Sequence, residues 1–161
     1  MKRTLAIGSL FLCLPLLALA QDKPTAAEVR KVIDYYYQGK GKGVIPMEYK
    51  LCQQISEQGE NKNNCEIEIP AGKIPKGQDA YVWMKFLVPA DDQAKILLQF
   101  SRNNLVRDTS NMSLTGATRY RTWKKLPTDT AGDWSINIIE EMDNGDQNIG
   151  KLQFSVVEAA Q

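Results

Sequence analysis

The spacing of apolar positions changes once along this chain, and the change divides it. Between residues 25 and 38, Val29, Val32, Ile33 and Tyr36 recur at the i, i+3, i+4, i+7 intervals that gather apolar groups on one face of a helix. Thr25 and Glu28 stand three apart as a capping box, with Pro24 just before and Gly39 placed to stop the helix. A helix of this kind is predicted to cover one side or edge of a sheet. Beyond the Gly/Lys connector at 39–43 the period falls to 2 and stays there.

Ile45, Met47, Tyr49 and Leu51 alternate with Glu48, Lys50 and Cys52, and a short second run covers 65–69. From Tyr81 to Val88, Val82, Met84, Phe86 and Val88 point to one face, and Tyr81, Trp83, Lys85 and Leu87 to the other; Pro89 is expected to end the strand. Asp91-Asp92 reads as a turn before Ile96, Leu98 and Phe100, and Asn103-Asn104 as a tight hairpin turn before Leu105 and Val106. Further strand-like runs cover 119–126, 134–139 and 149–157, the last two joined by a hairpin turn at 143–146. The predicted fold is mainly β: an antiparallel immunoglobulin-like β-sandwich of about seven strands with one N-terminal α-helix. Three segments follow: a signal peptide at 1–20, the helix and Gly/Lys connector at 21–43, and the sandwich domain at 44–161.

The signal peptide rests on the start of the chain, where Lys2 and Arg3 precede an apolar run that ends in Ala18-Leu19-Ala20 before polar Gln21. The run is shorter than the roughly 20 residues a spanning helix requires, and no later segment reaches that length. Cleavage after Ala20 removes Lys2, Arg3 and Cys13, and the formal net charge of +1 becomes −1. A near-neutral domain lacks the electrostatic footprint of a nucleic-acid or anionic-lipid binder. The expected location is the periplasm or the medium outside a bacterial cell. There the remaining Cys52 and Cys65, with 12 residues between them, are expected to form one structural disulfide that closes a polar Gln/Asn-rich loop.

Histidine is absent, which excludes Ser-His-Asp and Cys-His nucleophile pairs and imidazole-based zinc sites. The acidic turn with Asp143, Asp146 and Asn148 lacks the spacing and terminal Glu of a helix-loop-helix calcium site, and the methionines are scattered. No metal, cofactor or catalytic residue is expected.

The most specific pattern comprises Arg119-Tyr120-Arg121-Thr122-Trp123, then Gly132-Asp133-Trp134-Ser135-Ile136, then Lys151 to Val156 with Phe154. It resembles the C-terminal half of a family of exported bacterial domains of unknown function, with Arg-x-Trp and Gly-x-Trp strands and a closing hairpin in a sandwich. The match spans roughly 80 residues on the strand pattern. The chain departs from the family in its Cys52–Cys65 loop and in lacking the aromatic motif that opens the domain. The resemblance implies a binding or accessory module.

Candidate binding residues fall on two strands. Arg119, Arg121 and Trp123 alternate onto one face, where a guanidinium pair beside an indole suits an acidic partner or a sugar ring. The bland alternative packs Trp123 against the core and pairs the arginines with carboxylates such as Glu140 or Glu141. Tyr81 and Trp83 form an aromatic platform if their face is open, and core if the second sheet or the helix covers it. Trp134, in phase with Ile136 and Ile138, reads as core. The expected function is a non-catalytic exported module that recognises another envelope protein; the alternatives are a cell-wall glycan-binding domain and an inhibitor or immunity protein. No nucleic acid and no stable membrane insertion are expected.

Overall fold

The computed structural model describes residues 24–37 and 43–158. The predicted signal peptide and most of the Gly/Lys connector lie outside the described residues, as does the side chain of Tyr36. The elements are a helix α1 (Ala26–Tyr37) and seven strands: β1 (Ile45–Ile55), β2 (Cys65–Glu68), β3 (Lys73–Pro75), β4 (Tyr81–Arg102), β5 (Leu105–Lys125), β6 (Gly132–Glu141) and β7 (Gln147–Val157).

The capping box forms at the start of α1: Thr25 N–H donates to Glu28 Oε2 at 2.8 Å, and Glu28 N–H to Thr25 Oγ1 at 3.2 Å. The helix rests on the sheet by Val32 and by the Lys31 ammonium, which donates to the Met47 carbonyl. Its apolar stripe is only half covered, with Val29 at 41% and Ile33 at 47% exposure.

Mainly β with one helix holds; the two-sheet immunoglobulin-like sandwich does not. The strands form one curled sheet in the order β2-β1-β4-β6-β7-β3, with β5 on β4, and β3 runs parallel to β7. The curl is carried by β4, whose first half pairs with β1 and whose second half pairs with β6, while β5 follows it along both halves. The even-numbered Val82, Met84, Phe86, Val88, Ala94, Ile96, Leu98 and Phe100 of β4 are all buried. Leu114, Trp134, Ile136, Ile138, Phe154 and Val156 complete this core. The ring of Tyr49 on β1 meets Phe86 edge-on at 5.8 Å, and its hydroxyl donates to the Ile149 carbonyl at 3.3 Å.

Pro89 and Asp91-Asp92 therefore do not end a strand. The proline falls after the β1 pairing stops at Leu87 and before the β6 pairing starts at Lys95, so no strand on that edge needs its missing N–H. The ladder to β5 takes up the irregularity as a register shift between Val88 and Gln93. β5 continues through 107–118, a polar edge-strand stretch whose only fully buried side chain is Leu114. At the hairpin tip Asn103 and Asn104 adopt φ of 52° and 63°, as the turn requires. A bulge between Pro46 and Glu48 also separates residues expected to share a face: Tyr49 and Leu51 stay with the core, whereas Ile45 pairs with Leu87 on the outer face.

Candidate functional site

The odd-numbered residues of the first half of β4 line the outer face, and the register of β1 and β5 sets what joins them. Trp83 stands between Lys50 of β1 and Trp123 of β5; Lys85 stands between Glu48 and Arg121; Tyr81 between Cys52 and Lys125. Tyr81, Trp83, Arg121 and Trp123 thus share one surface, and Arg119 joins it near the helix. This face has three zones: α1 at one end, a belt of charges in the middle, and an aromatic group beside the disulfide loop at the other.

In the charged belt Glu28 reaches from the helix to Lys85 Nζ and Arg119 Nη2, at 3.4 Å each, and Lys85 also pairs with Glu48 at 3.1 Å. The Thr25 backbone N–H chiefly, with the Arg119 and Lys85 cations, overcomes the effect of burial and holds the Glu28 carboxyl down to about 2. Burial pushes Glu48 up, but Lys50 and Lys85 keep it below the usual carboxylate range. Of the two arginines expected to pair with carboxylates such as Glu140 or Glu141, Arg119 meets the helix. Glu140 instead continues the buried face of β6 after Ile138, and its Oε1 accepts the Val44 N–H at 2.9 Å.

Cys52 and Cys65 are bonded, with their Cα atoms 5.8 Å apart. The polar loop they close folds back onto the outer face, where Ser56 and Asn64 share its base: Ser56 N–H donates to Asn64 O, and Asn63 N–H to Ser56 O, both at 2.8 Å. Asn63, at φ 64°, turns its carbonyl to Trp83 Nε1 at 2.6 Å and its side-chain oxygen to Trp123 Nε1 at 3.4 Å. Trp83 is thereby reduced to 4% exposure in a small cluster with Cys52 and Ile55, and Lys50 Nζ lies 4.9 Å from its ring centre. Neither the second sheet nor the helix covers it; the disulfide loop does. The sequence names the residues of this cover, but the period-2 pattern carries no signal for which face a polar loop lies on.

Trp123 does not pack into the core. It remains 39% exposed, with the Tyr81 ring edge-on at 5.2 Å and 82°. Its indole borders a groove of about 510 Å³ whose other walls include Tyr81, Gln54, Gln58, Glu66 and Asp79. Gln54 Nε2 donates to Glu66 Oε2 at 2.7 Å, and Lys125 pairs with Asp79 at the rim. Nothing in the sequence pattern of 53–66 marks which of these polar groups meet an aromatic.

Two further recesses differ in character. One, beneath α1, is apolar and lined by Val29, Val32, Ile33, Met47 and Leu87. The other, near the β4–β5 turn, is polar, with Ser155 Oγ donating to Asp133 Oδ1 at 2.7 Å. Trp134 borders it with little exposed ring, stacked on Phe154 with centroids 6.1 Å apart, as its expected place in the core requires. Among the described residues no group of three or more Asp, Glu or Cys is arranged to hold a metal ion, and no helix is long and apolar enough to cross a membrane.

No family model and no curated protein matches the chain. Among solved structures it is similar to the C-terminal domain of Wzt, at 14% identity over 73% of this chain and 75% of that one, with a TM-score of 0.48.

Proposed function

We propose that this chain is a non-catalytic binding module of the bacterial cell envelope, exported by the predicted signal peptide and related to the exported family its Arg-x-Trp and Gly-x-Trp strands resemble. Its recognition surface is the outer face of β1, β4 and β5. One observation carries the reading: Trp123 stays 39% exposed although it neighbours buried Trp83 and a disulfide-closed loop. Large aromatics with a fixed orientation and an open face are typical anchors of binding surfaces.

The inhibitor reading has less support, because a plug needs a projecting loop and this loop is tied down through Asn63 to both indoles. Between an envelope protein and a glycan, the chemistry beside Trp123 favours the glycan. A benzophenone amino acid placed at Glu57, exposed on the wall of the same groove, tests the module in living cells with Trp123 in place. A discrete adduct with an envelope component, absent when the probe sits at exposed Arg107 of β5, is the expected result. No adduct of any kind from position 57 overturns the reading.

A further inference from the structure

We infer that the groove beside Trp123 is a subsite for an uncharged oligosaccharide, stacked by a sugar ring on the indole. This rests on the binding-module reading and specifies its ligand. The pyranose C–H groups of a sugar face carry partial positive charge and complement the negative face of an aromatic ring. For that contact the ring must be open and already oriented. Trp123 is both: it is 39% exposed, the Tyr81 ring meets it in a T-shaped contact, Asn63 Oδ1 accepts its N–H, and Trp83 stands across from it on β4.

The remaining walls match the rest of a sugar. Hydroxyl groups donate and accept together, and so do the amides of Gln54 and Gln58. Gln54 is oriented by its bond to Glu66, which leaves its amide oxygen as an acceptor. Sign then narrows the class. Glu57 and Glu66 line the groove with carboxylates, and Asp79 adds a third that Lys125 pairs at the rim, so a uronic acid or phosphate-bearing glycan meets like charge, and a neutral or N-acetylated sugar does not. A volume of about 510 Å³ lies within the range of small-molecule sites and has room for a short oligosaccharide. The recess beneath α1 has neither an aromatic ring nor a side-chain amide among the residues that line it.

The three tryptophans supply the test. Indole N–H resonances of the mature protein are followed while tetrasaccharides of β-1,4 N-acetylglucosamine, β-1,4 glucose and α-1,4 glucose are added to about 10 mM, with an oligogalacturonate as the anionic control. At least one neutral sugar is expected to shift Trp123 saturably and leave core Trp134 unmoved, with the oligogalacturonate silent. Trp123→Ala is expected to weaken binding about tenfold or more. Gln54→Ala, at an exposed site, should weaken it with the indole still in place, and this guards against a folding defect in the first variant. Silence of all three neutral sugars, or equal binding by both variants, overturns the inference. If the sugars are silent but the position-57 probe still captures an envelope protein, the sugar subsite falls and the module stands. If both are silent, the module falls with it.

Discussion

The indole N–H of Trp83 donates to the main-chain carbonyl of Asn63 at 2.6 Å, so a residue in the middle of the sheet also anchors the loop two residues before the cysteine that closes it. The loop is thus fixed twice, by a covalent bond that restricts the unfolded chain and by a hydrogen bond that exists only in the fold. Replacing both cysteines by serine is expected to cost about 3 kcal/mol on the loop-closure account for this length. Urea denaturation measures it. Emission from Trp83 should move to longer wavelength before the main unfolding transition, because the loop is its cover; a single unchanged transition contradicts this arrangement.

Asn63 also serves through its backbone. At φ 64° it occupies the left-handed region that asparagine and glycine tolerate best. Asn63→Gly should keep the carbonyl that Trp83 needs and lose only the bond to Trp123. Asn63→Ala loses that same bond and adds backbone strain of about 1 kcal/mol. Thermal melts should therefore rank wild type and glycine above alanine. Equal stability of the glycine and alanine variants counts against the strained turn.

The strand alternation foretold this surface in part. Tyr81, Trp83, Arg121 and Trp123 lie on the faces that strict alternation assigns them, because antiparallel pairing preserves a period of 2, and Trp134 is buried in phase with Ile136 and Ile138. What the sequence concealed was continuity. Pro89 and Asp91-Asp92 look like punctuation, but strand order leaves a gap between β1 and β6 at that point, and strand order is a long-range property. The polar stretch from Arg107 to Ser113 hid the first half of β5 for a related reason: an edge strand with little core to face shows little apolar alternation. Misreading two bent strands as four turned one curled sheet into an expected sandwich.

Gly150 tests the curl. It lies on β7 opposite Ile138, and a Cβ there would meet the Tyr49 ring at 3.0 Å from Cζ and closer still to Cε2. That ring has little room to retreat, since Phe86 lies edge-on to it and its hydroxyl is bonded to Ile149. Gly150→Ala is expected to destabilise by about 1–3 kcal/mol, as overpacking does. Tyr49→Leu with Gly150→Ala should recover part of that loss in a double-mutant cycle. Additive effects would mean that β1 and β7 do not meet at this point.

The docking of α1 should depend on acid, and the sign follows from Glu28. Its carboxyl titrates near 2 in the fold against an ordinary 4.5, held down first by the Thr25 N–H and then by Arg119 and Lys85, while burial acts the other way. A carboxyl so depressed contributes stability that is fully present above about 4.5 and is lost as the pH falls toward 2. The neighbouring Glu48, also held low, acts in the same direction. Because Val29 and Ile33 remain largely exposed, apolar burial alone holds the helix weakly, and the charges are what fix it over Met47 and Leu87. Hydrogen exchange of the 26–37 amides should therefore accelerate between pH 4.5 and pH 2, after correction for intrinsic rates, while the β4 amides at 96–100 stay protected. Glu28→Gln should show the faster exchange already at pH 7, with a loss on the order of 2 kcal/mol in helix protection. A variant that protects α1 as well as the wild type does would show that packing, and not this carboxylate, holds the helix to the sheet.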